Sequence, residues 1–188
     1  TKFPVSARVG GVAVLVALIF GIPLGCIAAM HRGKFLDNLI SVISTCGIAV
    51  PSFVICTVLM YFLGVHLKIL PTYGLTSWKH YVMPVMALSF YPMAYIMRLM
   101  RSSMLDVLGQ DYMRTCKAKG VSQAVSIFKH ALRNAILPVI TYVGPMLAYT
   151  LTGSFVVEKI FTIPGLGGEF IGSISSRDYT VIMGTTIF

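Results

Sequence analysis

Charge is what this chain of 188 residues has least of: only 11% of its positions are Asp, Glu, Lys or Arg. Soluble domains carry about 25%, so a water-facing globule is not expected. Acids are the scarcer sign, six against fifteen Lys and Arg, leaving a formal net charge of +9. No G-x-x-x-x-G-K-[ST] phosphate loop is present, and Gly165-Leu166-Gly167-Gly168 is followed by no lysine at the needed spacing. An ATP site in this chain is therefore not expected. H-E-x-x-H, paired carboxylates and a nucleophile–base set are also missing, which argues against an enzyme. The four cysteines (Cys26, Cys46, Cys56, Cys116) have no metal-ligand spacing, and three lie in apolar runs. There a thiol behaves as a small hydrophobe, so neither a metal site nor a disulfide framework is expected.

Apolar runs fill the space that charge leaves, with 56% hydrophobic residues. A bilayer needs ~20 such residues per helix. The runs predict membrane spans over about 9–30, 36–63, 81–100 and 135–157, with a fifth entered at 179–188 and cut short. Gly21, Pro23 and Gly25 are expected to break the regularity of the first span, and Phe3 to Arg8 reads as a lead-in. Pro51, Pro92 and Pro145 are expected bending points, because proline removes a backbone hydrogen bond. Trp78, Tyr73 and Tyr81 suit an interface belt; stacking on a ligand is the alternative for Trp78. The methionines read as flexible filler in the core and towards lipid. The chain opens on Thr1, and Val181–Phe188 looks like part of a span, so a piece of a longer protein is expected.

The span interiors carry almost no ionisable residues, which argues against proton or sodium coupling. They hold Ser, Thr, Tyr and Cys instead, among them Ser44, Thr45, Ser89, Tyr91, Tyr95, Thr141, Tyr142, Tyr149, Thr150 and Thr152. Bonding between helices explains most of these groups; a few can line a polar path. The positive charges flank apolar runs rather than forming a basic domain, so anionic lipid and topology explain them better than nucleic acid does. Inner loops hold nine Lys and Arg and outer pieces six, the sign of a positive-inside bias.

One polar segment interrupts the apolar pattern. Seven of the fifteen Lys and Arg fall between Arg98 and Arg133. Within it, Asp111 can cap a short helix. Lys117 and Lys119 sit near its negative end, and Gly120 fits a left-handed closing position. Ser122 can cap a second helix running through Phe128, Ala131 and Leu132 towards Pro138. Two short helices meeting at a glycine corner, kept outside the bilayer between spans, read as a docking piece for a cytoplasmic partner.

Several motifs in this order carry a resemblance. They are Phe3-Pro4-Val5-Ser6-Ala7, Pro51-Ser52-Phe53-Val54, Arg101-Ser102-Ser103-Met104, Arg114 to Gly120, His130-Ala131-Leu132-Arg133-Asn134-Ala135 and Leu137-Pro138-Val139. Gly144-Pro145, Thr152-Gly153-Ser154, Ile163-Pro164-Gly165-Leu166-Gly167 and Arg177-Asp178-Tyr179 complete the set. Together they resemble the permeases of bacterial ABC importers, in the B-type subunit of the oligopeptide and dipeptide branch. Arg114, Thr115 and Cys116 depart from the general Glu-Ala-Ala pattern of the family's loop, and the gap from Gly120 to Pro138 is longer.

The resemblance implies an all-α, polytopic transmembrane helical bundle of the MetI-like type, as a single permease domain with a cytoplasmic coupling loop over 101–134. It implies the transmembrane subunit of an ATP-driven peptide importer in the bacterial cytoplasmic membrane. Its partners would be a second permease subunit, two ATPase subunits that bind the ATP, an extracytoplasmic binding protein and membrane lipid. The ATPase-docking residues would be Asp111, Arg114, Thr115, Cys116, Lys117, Ala118, Lys119, Gly120, His130 and Arg133. Glu158, Pro164, Gly165 and Gly167 would form an outer gate. A nickel or metal-chelate importer of the same branch, or a membrane scaffold without transport, are the alternatives.

Overall fold

The computed structural model describes residues 2–152 and 154–187. Thr1, Gly153 and Phe188 lie outside the described residues, so the Thr152-Gly153-Ser154 motif is described only at its two ends and the last predicted span only to Ile187. Among the described residues there are helices and no strands. In chain order they are α1 (Phe3–Met30), α2 (Phe35–Ala49), α3 (Ser52–Leu59), α4 (Lys79–Leu108), α5 (Asp111–Ala118), α6 (Gln123–Val125), α7 (Leu132–Ala135), α8 (Leu137–Leu151), α9 (Phe155–Ile160), α10 (Leu166–Ser176) and α11 (Tyr179–Ile187). Wider π-helical turns extend α3 over Met60–His66 and join α6 to α7 over Ser126–Ala131.

Phe3–Met30 and Lys79–Leu108 are long and apolar enough to cross a membrane. So is the stretch Leu137–Ile160, which passes over Gly153. Phe35–Ala49 with Ser52–His66 counts as a fourth crossing if the pair is one broken span. The expected second span is thus two helices rather than one. Pro51 stands between them in extended conformation (φ −62°, ψ 145°) as the N-cap of α3, because its ring cannot continue the preceding helix.

Other boundaries also move. The helix α1 starts at Phe3, so the expected lead-in is helical. It runs unbroken through Pro23, where the sequence pattern suggested irregularity. The helix α4 continues eight residues past the expected end of the third span and takes Arg101 with it. Pro92 and Pro145 lie inside uninterrupted helices. The stretch 158–178, between the fourth and fifth predicted spans, is mostly the helices α9 and α10.

By contacts the chain divides into two compact units. One comprises Thr1–Val16, Ala49–Pro92 and Met146–Phe188; the other comprises Ala17–Ile48 and Met93–Pro145. The seams along the chain fall at Val16–Ala17, Ile48–Ala49, Pro92–Met93 and Pro145–Met146; the last three are at or within three residues of a proline expected to bend a helix.

In the first unit, Val9 and Ala13 of α1 pack with Cys56, Met83, Ala87, Leu88, Val157, Phe161 and Ile163. The loop after the π turn is fastened by the Gly74 amide donating to the Phe161 carbonyl at 3.2 Å. In the second unit, Ala28, Ile40, Ala94 and Met97 form the core. The helices α1 and α4 approach very closely there. A Cβ on Gly25 would stand 2.7 Å from the Met97 carbonyl oxygen, and one on Gly21 would stand 3.1 Å from that of Met93. Gly21 and Gly25, four residues apart, are the small-residue pattern that lets membrane helices touch backbone to backbone.

Candidate functional site

The basic segment lies wholly in the second unit. The helix α5 starts at Asp111, with Gln110 as its N-cap and no side-chain cap bond. Asp111 is therefore in the first turn rather than the cap. Its carboxylate, 95% exposed, pairs with Arg114 at 3.5 Å, and its carbonyl accepts from the Thr115 hydroxyl at 3.1 Å. Lys117 occupies the last turn and Lys119 the C-cap. Gly120 has φ +72°, with nothing within 4 Å of where a Cβ would sit. The corner thus needs glycine for its backbone and not for space. Ser122 is the N-cap of α6 but makes no side-chain cap bond.

Two anchors fix this element. Met113 and Ile127 are buried beneath it, and Asn134 donates from Nδ2 to the Tyr112 hydroxyl at 2.8 Å, tying α7 to α5. What remains outward is the set singled out from sequence. Asp111, Arg114, Thr115, Lys117, Ala118, Lys119, Gly120 and Arg133 are exposed, while Cys116 and His130 are half-buried. Val125 and Phe128, 44% and 68% exposed, join them. Neither residue is among the docking positions expected from the sequence, where Phe128 marks only the course of the second short helix. Beside them is a cavity of ≈570 Å³ lined by Met30, Leu108, Met113 and Ile127, with Arg114, Lys117 and the unpartnered hydroxyl of Ser126.

An ion pair on a buried carboxylate, also unread in the sequence, holds the root of this segment. Asp37, at the start of α2, receives Arg101 Nε at 2.5 Å and Arg101 Nη2 at 2.8 Å. The Gly33 amide donates to the same carboxylate at 2.8 Å. The bidentate fork therefore joins the basic turn at 31–34, the first turn of α2 and the late turns of α4. Sixty-four residues separate the two partners, so no local pattern announces the pairing.

The second expected site, Glu158 to Gly168, lies in the first unit. Ser154 caps α9 by accepting from the Val157 amide at 3.4 Å. Glu158, 5% exposed, accepts from the Ser6 hydroxyl at 2.6 Å and from the Gly168 amide at 3.0 Å. Gly165 and Gly167 are buried against this carboxyl group, whereas Pro164 is exposed. Glu169 in the first turn of α10 pairs with Lys2. Glu158, Gly165 and Gly167 of the outer set thus form one packed corner. Among the described residues, no group of three or more His, Cys, Asp or Glu could hold a metal ion.

Comparison with known proteins gives this arrangement its context. Residues 21–188 match the family described as binding-protein-dependent transport system inner membrane component. The chain belongs to that family. The dipeptide transport system permease protein DppB of Bacillus subtilis is 53% identical over 186 residues, covering 99% of this chain and 60% of that protein. The DppB of Lactococcus lactis is 42% identical over 186 residues, covering 99% and 61%. The glutathione transport system permease protein GsiC of Escherichia coli K12 is 45% identical over 166 residues, covering 88% and 54%. The chain therefore spans about three-fifths of the length of the DppB relatives it matches. Membership accounts for the all-α architecture and makes the chain part of an inner-membrane component of such transport systems.

Proposed function

We propose that this chain is the transmembrane core of a peptide-importing permease subunit, moved by ATP hydrolysis in partner subunits. The observation that carries the reading is the exposed helix–glycine–helix element at 111–135, rooted in the membrane helices by Asp37 and Arg101. A polar element of this size beside apolar helices has a surface to offer, and its Arg114, Lys117, Lys119, Val125 and Phe128 suit an acidic and apolar partner face. Relatives with permease names for dipeptide and glutathione transport support a peptide as cargo.

On this reading a second permease subunit completes the path, two ATPase subunits bind ATP and dock under the loops, and an extracytoplasmic binding protein delivers the peptide. Catalysis belongs to the partners; this chain supplies the path and the mechanical linkage.

Replacing Gly120 by valine tests the linkage. A β-branched residue at φ +72° strains the corner by about 1–2 kcal/mol, although no neighbour blocks it. The subunit still inserts, while peptide uptake and substrate-stimulated ATPase activity of the assembled transporter fall together. Wild-type uptake in the valine variant removes the docking assignment.

A further inference from the structure

Glu158 is buried, and among the described residues it has no ion-pair partner. A carboxyl group in that position needs donors, and it has two that come from distant parts of the chain. The Ser6 hydroxyl donates to Oε1 at 2.6 Å and the Gly168 amide to Oε2 at 3.0 Å. The Ser6 oxygen in turn accepts from the Leu166 amide at 2.9 Å. Leu166 and Gly168 are in the first turn of α10, whose N-cap, Gly165, has no side chain to offer. Helix starts leave amides without partners. Here they are satisfied from outside by Ser6 of α1 and Glu158 of α9.

The neighbouring glycines are shaped by this carboxyl group. A Cβ on Gly165 would strike it, and one on Gly167 would come within 3.0 Å of Oε2 and 2.7 Å of the Phe155 Cα. The Pro-Gly-Leu-Gly run is therefore read best as a socket for Glu158. The turn alone would demand fewer glycines, since Gly165 sits at φ −100°, which any residue tolerates.

We propose that Ser6 and Glu158 are positioning residues: their relay seats the start of α10 on α1, and transport requires that seating. The transport half rests on the importer reading above; the seating half does not. Neither residue need touch the peptide.

The test uses the full-length permease assembled with its partner subunits in membranes. Ser173, on α10 and 6% exposed, is replaced by cysteine. Its reaction with a membrane-impermeant maleimide, applied from the face opposite the basic loop, is followed by mass spectrometry at that position. Removing one partner of a buried hydrogen bond leaves the other unsatisfied at a cost of about 1–3 kcal/mol, so Ser6→Ala and Glu158→Gln each raise the labelling rate about tenfold. The double variant is no faster than the faster single one, because both break one relay. Uptake of a tripeptide loses kcat with little change in KM. Ser6→Thr, which keeps the hydroxyl, returns both readouts towards the parent, and Ser175→Ala, exposed on α10, changes neither.

Labelling of position 173 at the parental rate in both single variants overturns the proposal. So do effects that multiply independently in the double variant, or raised labelling with uptake intact. A parental assembly that takes up no peptide counts against the importer reading, and the labelling rates still decide the seating.

Discussion

Arg101 and Asp37 show how a single contact can govern a polar loop. The carboxylate is almost fully enclosed while the guanidinium is partly exposed (side chains 3% and 31%). Removing the cation therefore costs more than removing both groups. Arg101→Ala leaves a buried charge unpaired and lowers stability by about 3 kcal/mol. Arg101→Ala with Asp37→Leu recovers much of that loss, as measured by thermal unfolding of the detergent-solubilised subunit. A double variant as unstable as the single one contradicts the assignment. At Gly120 the discriminating variant is asparagine, which enters the left-handed region more readily than other side chains. Gly120→Asn retains most peptide uptake where valine does not, because backbone conformation and not space is limiting there.

Helices were legible where the pattern is local. The apolar runs announced α1 and α4, Pro51 announced the break between α2 and α3, and Gly120 announced the corner after α5. What escaped was set by partners far along the chain. Gly21 and Gly25 read as breakers, yet they are flat faces that admit α4; the identity of the opposing helix is not written in their own neighbourhood. Asp111 read as a cap but lies one residue inside the helix, and Gln110 holds the cap position without a side-chain bond. Replacing Gly25 by leucine tests the packing. The side chain cannot share space with the Met97 carbonyl and the Met100 side chain, and overpacking of this kind costs about 1–3 kcal/mol or more. The expected outcome is low recovery of folded subunit, whereas Gly11→Leu, whose added Cβ would meet only a leucine side-chain atom at 4.0 Å, is recovered normally.

Three of the four seams between the two units lie at or near prolines. Seams at Pro92–Met93 and Pro145–Met146 fall within continuous helices, where proline removes a backbone bond and lowers the resistance to bending. Restoring those bonds with Pro92→Ala and Pro145→Ala relieves an interior penalty of about 3 kcal/mol per site. The expected result is a subunit at normal abundance with slower peptide uptake; unchanged uptake in the double variant would separate the seams from the transport cycle. The distances along the chain carry a last implication, for biosynthesis. Ser6 leaves the ribosome ahead of its partner Glu158, which follows 152 residues later. During that interval the hydroxyl near the start of α1 must be served by water or headgroups, so the start of α1 completes its folding only after residues 158–168 have been translated. Nascent chains arrested before Gly168 should thus hold that end accessible to protease, and chains arrested well beyond it should protect it.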